Sequence, residues 1–416
     1  MEHPACSPFM TVNPMQSKLT TYLVGGAVRD RLLNIVVKDR DYLVVGSTPA
    51  EMKSLGFKQV GADFPVFLHP TTQEEYALAR TERKTGNGYQ GFSVDFSPAV
   101  TLTEDLLRRD LTINAIAEDP DGNLFDPYKG VEDLANRKLR HVSPAFREDP
   151  VRILRTARFA ARFHQLGFSV ATETTTLMKE MVANGEASYL VPERIWQEWK
   201  RALEGANSAV FIQVLKQIGA LTVVAPELDT LYSRECPVDG VPGINDLGQF
   251  IERALQRACD LTESGEIRFA ALLAGLGSSA FNQPMSGPKT EQLVEQFCTR
   301  LTVPNSWQDL ARLVSIYFER TNRASNADAE ELLSLLESLD AFRRPQRLDS
   351  FLIACQAVSG AFQSSAIGDY PPADRLHEAL LLTKPIPVAP LLEQGLKGIA
   401  IQQGLRELRL RALQPD

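Results

Sequence analysis

Two aspartates at the start of an apolar run, Asp39 and Asp41, could together hold a divalent metal ion. If the run at residues 42–45 forms a strand, positions i and i+2 point to the same face, so the two carboxylates converge on one point. Hard cations such as Mg²⁺ bind carboxylate oxygens placed in this way. An exposed aspartate pair at a strand start is usually only solvated, so the motif alone does not identify a metal site.

Two glycines, Gly25 and Gly26, lie upstream between a strand-like run and a helix-like segment. Glycine lets the backbone approach a phosphate closely, and the start of a helix attracts anions. A phosphate cradle beside a metal-holding carboxylate pair is far more specific than either motif alone. The combination predicts phosphoryl or nucleotidyl transfer.

A second cluster follows at Arg108, Arg109, Asp110 and Asn114. Adjacent arginines can clamp phosphates, and the Asp and Asn side chains can bind ribose hydroxyl groups. The alternative is a capped helix end with salt bridges, and this cluster taken alone does not decide between the two.

A third cluster, at residues 148–162, has helical periodicity. Pro150 suits the first turn and Asp149 suits the cap position. One half of the helix is predicted to present charged groups, namely Asp149, Arg152, Arg155, Arg158 and Arg162. The other half is apolar and is predicted to pack, with Ile153, Leu154, Ala157, Ala160 and Ala161.

The pair Asp149 and Arg152 could select nucleobases without a template. Cytosine and adenine each offer an exocyclic amino donor beside a ring-nitrogen acceptor, which match a carboxylate and a guanidinium. Uracil and guanine reverse this pattern and would leave an unpaired acceptor, at a cost of about 1–3 kcal/mol. The hypothesis is that this pair accepts C and A.

Residues 19–140 alternate between short strands and helices, which predicts a small α/β domain. The strand-like runs are residues 21–24, 42–45, 66–68, 75–80 and 113–117. The helix-like segments are residues 27–33, 49–55 and 105–110. A G-x-G-x-x-G match at residues 86–91 lacks the flanking strand and helix of a dinucleotide site, which excludes a Rossmann dehydrogenase. It predicts a mobile loop, with Arg83 and Lys84 available to phosphates.

Beyond residue 150 no strand is predicted, and the pattern is helical. The periodic segments are residues 150–164, 173–184, 192–204, 207–219, 246–262, 266–276, 289–301, 306–318, 328–338 and 345–359. Residues 233–243 and 278–288 are predicted turns or linkers. Residues 1–18 have no secretory pattern and are predicted to be a flexible extension, with Met10 or Met15 as alternative starts.

The 416 residues carry a net charge of −8, which by itself argues against nucleic acid. Residues 137–162 differ, because eight Lys or Arg face only two acidic side chains there. Such a local basic stripe is the expected footprint of a phosphate-rich partner. Five scattered cysteines indicate neither zinc nor a disulfide framework and fit a reduced cytoplasm. No apolar run is long enough for a membrane span.

The three clusters together resemble the class II tRNA nucleotidyltransferases, the CCA-adding enzymes of the polymerase-β-like superfamily. The similarity runs from Tyr22 to about Leu231, continues weakly to the C-terminus, and resembles the gammaproteobacterial form. The matching motifs occur in order, as Tyr-Leu-Val-Gly-Gly-Ala-Val-Arg-Asp (22–30), Lys-Asp-Arg-Asp (38–41), Arg-Arg-Asp-Leu-Thr-Ile-Asn-Ala (108–115), Arg-His-Val-Ser-Pro-Ala-Phe (140–146) and Glu-Asp-Pro-x-Arg (148–152).

The resemblance implies addition of C, C and A to the 3′ end of tRNA from CTP and ATP, with Mg²⁺ and without a template. It implies that Asp39 and Asp41 hold the metal. The nucleotide contacts that it implies are Gly26, Arg29, Arg109, Asp149, Arg152, Arg155 and Arg158, and with less support Gly25, Arg108, Asp110, Asn114 and Arg83. Glu74 or Glu75 is the candidate third carboxylate. The loop near residues 81–92 resembles the family's flexible loop, which favours full CCA addition.

The implied architecture is a nucleotidyltransferase head at 19–140, a neck at 141–205, a helical body at 206–300 and a helical tail at 301–416 that binds tRNA. Gammaproteobacterial relatives carry a His-Asp metal pair in the body, where this chain has Ala274 and Gly275. Residues 240–330 contain no histidine, so imidazole ligands for a second metal site are absent there. We therefore expect no phosphohydrolase or phosphodiesterase activity.

Three alternatives stay open. A bacterial poly(A) polymerase shares the head and neck motifs, although such enzymes usually carry a basic C-terminal extension and this chain has a pI of about 5.4. An enzyme that adds only A is a second alternative. A catalytically silent RNA-binding protein is a third, and the intact Asp39 and Asp41 pair argues against it. The sequence leaves the oligomeric state open, with a monomer as one alternative.

Overall fold

The computed structural model describes residues 19–60, 66–84, 92–235, 243–276, 290–363 and 368–414. The predicted extension at residues 1–18, the glycine motif at 86–91 and most of the linkers at 233–243 and 278–288 lie outside these residues. The chain divides into two compact units, residues 1–190 and 191–416. The finer division into head, neck, body and tail stays a prediction.

Among the described residues, all strands lie in the first unit. They are β1 (Thr20–Val24), β2 (Asp41–Val45), β3 (Lys58–Val60), β4 (Val66–Leu68), β5 (Glu75–Leu78), β6 (Thr81–Lys84), β7 (Phe92–Asp95), β8 (Ala117–Glu118), β9 (Leu124–Phe125), β10 (Lys138–Leu139) and β11 (Ser169–Val170). The longer helices of this unit are α1 (Gly26–Leu32), α2 (Pro49–Ser54), α3 (Leu102–Leu107), α4 (Gly130–Ala135), α5 (Val151–Arg162) and α6 (Thr172–Ala183).

A seven-stranded mixed sheet in the order β3-β4-β5-β2-β1-β8-β9 forms the centre of the head. Its two faces are covered because side chains alternate along β2. Leu43 packs on one face with Leu106 of α3, and Val44 packs on the other face with Met52 of α2. β2 and β5 are parallel, and their register places Asp41 opposite Glu75. The sheet therefore brings two carboxylates to the same edge.

The second unit is helical in its described residues. Its helices are α7 (Pro192–Leu203), α8 (Ser208–Gln217), α9 (Leu221–Val224), α10 (Pro226–Asp229), α11 (Leu247–Leu261), α12 (Gly265–Leu273), α13 (Thr290–Arg300), α14 (Asn305–Asn322), α15 (Ala329–Ser338), α16 (Pro345–Gly360), α17 (Pro371–Thr383), α18 (Ala389–Glu393) and α19 (Ile399–Leu413). The predicted α/β head followed by an all-α remainder is thus confirmed. Among the described residues, no helix is both long and apolar enough to cross a membrane.

One buried arginine joins three helices of the second unit. Arg268 of α12 is 3% exposed, and its guanidinium donates to backbone carbonyls rather than to a carboxylate. Nη1 donates to the oxygens of Leu203 and Gly205, both at 2.7 Å, and Nε donates to the oxygen of Thr262 at 2.8 Å. Leu203 ends α7 and Thr262 follows α11, so the cation lies where helix carbonyls lack partners.

Some predicted elements differ from the structure. The strand predicted at 113–117 is wrong, because Thr112–Asn114 forms a 3₁₀ turn and only Ala117–Glu118 is extended. The Thr112 hydroxyl donates to Asp133 at 2.6 Å, which favours the turn over an extended chain. The helix predicted at 105–110 is Leu102–Leu107, since Thr101 and Glu104 form a capping box. A strand does occur beyond residue 150, because β11 pairs with β10.

Candidate functional site

Asp39 and Asp41 are both exposed, at the start of β2. The strand begins at Asp41, so Asp39 lies in the preceding segment and the alternation argument does not by itself orient it. Partial burial and the neighbouring charge of Asp39 raise the pKa of Asp41, while Arg109 opposes the shift. Asp39 and Arg109 therefore act on the charge of Asp41 in opposite directions.

The carboxylates of Asp39 and Asp41 are ligands of the kind that a hard cation binds. Carboxylate oxygens are the ligands that Mg²⁺ prefers, and a cation would relieve the like-charge repulsion that acts on Asp41. In the described residues, no three His, Cys, Asp or Glu side chains already stand together as a complete metal-binding group. The residues thus fit a site that two aspartates hold and that the substrate or water completes.

The Gly25–Gly26 turn packs directly against Arg109. Gly25 has a φ of 66°, and its N–H donates to the carbonyl of Ile116 at 3.1 Å. A Cβ atom at Gly25 would lie 2.8 Å from Nη1 of Arg109. Only glycine satisfies both the left-handed backbone and this close approach. The turn and the arginine therefore form one surface at the start of α1.

Arg29 is buried behind this turn at 3% exposure. Its guanidinium lies 5.1 Å from the ring centroids of both Phe159 and Phe163. Nε donates to Asp30 at 2.8 Å, and Nη1 donates to the side-chain oxygen of Asn114. Burial lowers the pKa of Arg29, although Asp30 opposes this shift. Arg29 is thus enclosed by protein groups and supports the turn from within.

Asp110 and Asn114 continue the same chain of contacts. Asp110 accepts Nδ2 of Asn114 at 2.9 Å and Nε of Arg155 at 2.7 Å. Burial alone would raise the pKa of Asp110, but Arg155 and Asn114 outweigh it and hold that pKa well below its usual range. A carboxylate thus stays charged between the head and α5, as the salt-bridge alternative for this cluster anticipated.

The helix α5 follows its predicted division only in part. Ile153, Leu154 and Ala157 are fully buried, which confirms the packed face. Asp149 precedes the helix and accepts the N–H of Val151 at 3.0 Å. Arg152 does not project openly as predicted, because it is 8% exposed.

The buried Arg152 guanidinium joins α5 to the head. Its Nη1 donates to the carbonyl of Ala145 at 3.0 Å, and its Nη2 donates to the carbonyl of Arg108 at 2.7 Å. The guanidinium therefore faces backbone carbonyls and is shielded from solvent.

The remaining predicted residues make other contacts or have side chains outside the described structure. The guanidinium of Arg158 lies over the Phe159 ring at 4.5 Å. Glu74 accepts the hydroxyl of Thr72 at 2.8 Å, which leaves Glu75 as the carboxylate in register with Asp41. The side chain of Arg83 lies outside the described residues.

The position of the missing His-Asp pair is closely packed. Ala274 is 4% exposed, and a Cβ at Gly275 would lie 2.3 Å from Cγ2 of Ile251 and 3.4 Å from Cδ1 of Leu231. An aspartate side chain at this place would collide with apolar atoms. The fold therefore fills with hydrocarbon the space that a metal-binding carboxylate would need.

Comparisons with known proteins show the family of the chain. The chain is 48% identical, over 94% of its length and 98% of the relative's, to the "Multifunctional CCA protein" of Aliivibrio salmonicida. It is 49% identical, over 94% of its length and 96% of the relative's, to the protein of that name from Shewanella denitrificans. The chain belongs to the CCA-adding tRNA nucleotidyltransferase family.

Two parts of the chain match named families. Residues 21–140 match the family described as "Poly A polymerase head domain". Residues 167–231 match the one described as "Probable RNA and SrmB- binding site of polymerase A". Within the CCA-adding family, the chain is therefore a nucleotidyltransferase whose second matched segment is of an RNA-binding kind.

Solved CCA-adding enzymes share the fold. The Bacillus stearothermophilus enzyme in complex with CTP aligns with a TM-score of 0.65 at 24% identity, over 96% of this chain and 89% of that one. A CCA-adding enzyme in complex with ATP aligns with a TM-score of 0.66 at 22% identity, over 96% and 87%. At these identities the likeness shows the fold.

Sequence reasoning missed two groups that support the site. Asp105 accepts hydrogen bonds from both Arg108 and Arg109, and its spacing of three and four residues along a helix was an available signal. The ion pair of Asp30 with Arg162, at 2.8 Å, joins α1 to α5. Those two residues are 132 positions apart, so no local pattern could reveal the pair.

Proposed function

We propose that this chain adds C, C and A to the 3′ end of tRNA from CTP and ATP, without a template, and releases pyrophosphate. One observation carries the proposal: the Gly25–Gly26 turn follows β1, whose Leu23 pairs with Tyr42 directly after Asp41, and the same turn packs against Arg109. A metal-binding carboxylate, a phosphate-binding cation and an open backbone turn are the parts that nucleotidyl transfer needs.

Asp39 and Asp41 hold Mg²⁺ in this proposal, and Glu75 supports them from β5. Bound Mg²⁺ would supply activation of the 3′-hydroxyl and neutralisation of the triphosphate charge. The reaction forms a bond between the tRNA 3′-oxygen and the α-phosphorus of the nucleotide. It breaks the bond from that phosphorus to the pyrophosphate oxygen.

The triphosphate is bound by the backbone of Gly26 and by the guanidinium of Arg109. The contact of Arg109 with Gly25, the residue before Gly26, supports this assignment, because it places the guanidinium beside the turn. Arg29 belongs to the same site as a support, since its guanidinium is engaged by Asp30, Asn114 and two phenylalanine rings. Arg155 and Arg158 complete the positive side of the pocket from α5.

Asp149 and Arg152 read the base in this proposal. Asp149 accepts the exocyclic amino group that cytosine and adenine share, and Arg152 donates to the adjacent ring nitrogen. Two of the five N–H donors of Arg152 bind backbone carbonyls. These two bonds fix the orientation in which the guanidinium would meet the base.

We further propose that the body has no phosphohydrolase activity, because the Ala274–Gly275 position is closed by Ile251. The test is to incubate the purified chain with 2′,3′-cyclic AMP and Mg²⁺, Mn²⁺ or Ni²⁺. No phosphate release is expected, and metal-dependent release would contradict the proposal.

We also place the protein in the cytoplasm, since Cys259, Cys298 and Cys355 are free thiols.

A panel of tRNA ends tests the function. Three substrates, ending before CCA, after C and after CC, are each incubated with Mg²⁺ and either CTP or ATP alone. CTP alone should extend the first by two residues and the second by one, and ATP alone should extend only the third. Long A tails would indicate a poly(A) polymerase. Extension of the third substrate alone would indicate an A-adding enzyme, and no extension an inactive RNA-binding protein.

A further inference from the structure

One carboxylate in the head, Asp105 of α3, is fully buried at 0% exposure and is surrounded by donors. Its Oδ1 accepts Nη2 of Arg108 at 2.7 Å and the backbone N–H of Arg80 at 3.2 Å. Its Oδ2 accepts Nη2 of Arg109 at 3.1 Å and Nε of the same arginine at 3.3 Å. Asp105 thus holds two adjacent arginines with separate oxygen atoms.

The positive groups around Asp105 stabilise its ionised carboxylate. Burial alone would raise the pKa of Asp105, but the guanidinium groups of Arg108 and Arg109 outweigh it and keep the pKa below its usual value. Charge-assisted bonds from two directions restrict both arginines far more than one exposed ion pair would. Because α3 ends at Leu107, the helix itself does not fix the two arginines.

The hydrogen bonds from Arg109 to Asp105 fix the direction in which the Arg109 guanidinium points. With Nε and Nη2 held by Asp105, Nη1 donates to the carbonyl of Asn114 at 3.4 Å and lies 2.8 Å from the place that a Cβ of Gly25 would take. We propose that Asp105 is a positioning residue, which aims the Arg109 guanidinium at the triphosphate of the incoming nucleotide. This inference rests on the proposed function, since it needs Arg109 to bind that triphosphate.

The same carboxylate reaches a second part of the head. Arg80 immediately precedes β6 of the β6–β7 hairpin, and its carbonyl accepts Nε of Arg108 at 3.0 Å. Its N–H donates to Asp105. Asp105 and Arg108 therefore fix the backbone at the base of the hairpin, in the same network that holds Arg109.

The test is Asp105→Asn, which keeps the shape of the side chain and removes its charge. We expect the KM for CTP and the KM for ATP to rise together by about tenfold, which is the scale of one charge-assisted hydrogen bond. The kcat should change less, and the preference for C and A over U and G should stay unchanged. An unchanged KM for both nucleotides in the folded variant would overturn the proposal.

Asp133→Asn is the matched control. Asp133 is also buried, at 4% exposure, and binds one arginine, Arg140, at 3.1 Å. It lies on α4 and makes no contact with Arg109 in the described structure. The control should lose stability as Asp105→Asn does, with both KM values unchanged. An equal rise of KM in both variants would reduce the role of Asp105 to general stability.

A double-mutant cycle with Arg109→Ala separates the two proposals. If Arg109→Ala raises both KM values, Asp105→Asn should add little in that background, and additive effects would contradict positioning. If Arg109→Ala leaves the KM values unchanged, the assignment of Arg109 to the triphosphate fails, and positioning fails with it. If Asp105→Asn does not fold, Asp105→Glu keeps the charge but shifts the guanidinium. It should raise both KM values, and wild-type values would overturn the proposal.

Discussion

Gly25 and Arg109 approach so closely that a Cβ atom on Gly25 would lie 2.8 Å from Nη1 of Arg109. The contact joins two motifs that are more than eighty positions apart in the sequence. It places the backbone turn at the start of α1 and a cation from the segment after α3 on one surface, and the charge of Arg109 lowers the pKa of Asp41 against the effect of burial.

The first prediction concerns this contact. Gly25→Ala should raise the KM for both nucleotides, because the new methyl group displaces the Arg109 guanidinium. The variant should also lose about 1–2 kcal/mol of stability from its left-handed backbone. Gly46→Ala is the control, since Gly46 has a φ of 74° and no atom within 4 Å of a built Cβ. It should lose similar stability and keep its KM, and equal KM values in the two variants would contradict the prediction.

The two aspartates should be needed for catalysis rather than for folding. Asp39→Asn and Asp41→Asn should each lower kcat on the order of 100-fold or more, because the cation that stabilises developing charge is lost. Their melting temperatures should stay close to that of the wild type, since both side chains are exposed. Asp121→Asn, in the exposed β8–β9 turn, should keep full activity. Chelation of Mg²⁺ should stop addition by the wild type, and restored Mg²⁺ should recover it.

Glu74 and Glu75 offer a matched pair for the third carboxylate. Glu75→Gln should lower kcat by about tenfold, because the parallel register places Glu75 beside Asp41. Glu74→Gln should have little effect, because that side chain accepts the Thr72 hydroxyl in a local turn. Single-turnover rates at saturating CTP measure the difference. A larger loss in Glu74→Gln than in Glu75→Gln would reverse the assignment.

Asp149→Ala should relax nucleotide selection. Loss of the acceptor removes the penalty against uracil and guanine, so the discrimination should fall by about 1–3 kcal/mol. Competition between CTP and UTP for a tRNA that lacks CCA gives the ratio of kcat/KM values. Glu180→Ala removes an exposed carboxylate of α6 that pairs with Arg147, and its selection should stay at the wild-type level. Unchanged selection in Asp149→Ala would exclude the base-reading role.

Arg268→Met should destabilise the second unit by about 3 kcal/mol, because buried carbonyls lose a charged donor. Urea unfolding measures the change. Arg343→Met is the control, since that side chain is 78% exposed and forms a surface ion pair with Asp340. It should show no measurable change. If the two variants unfold alike, the carbonyl contacts of Arg268 do not stabilise the fold.

The fold class could be predicted because periodicity in this chain follows burial. The apolar half of α5, with Ile153, Leu154 and Ala157, is packed as its spacing indicated. The strand predicted at 113–117 failed because the Thr112 and Asn114 side chains bind Asp133 and Arg29. Such contacts depend on tertiary partners, which a propensity does not contain.

The candidate site, like the fold, could be predicted from the sequence only in part. Residue types and spacing indicated the chemistry of Asp41 and Arg109, but they did not reveal that Arg29 is enclosed by Phe159 and Phe163. Nor did they place Glu75 opposite Asp41, because register follows from the assembled sheet. Motifs therefore indicated candidate residues, and the fold shows which of these side chains are enclosed by other protein groups.

The most direct test supplies a tRNA that lacks CCA with both CTP and ATP and reads the 3′ ends of the products. The wild type should add C, C and A and then stop, and Asp41→Asn should add nothing at the same protein concentration. Continued A addition, addition of A alone to a CC end, or wild-type addition by Asp41→Asn would contradict CCA addition at the Asp39–Asp41 site.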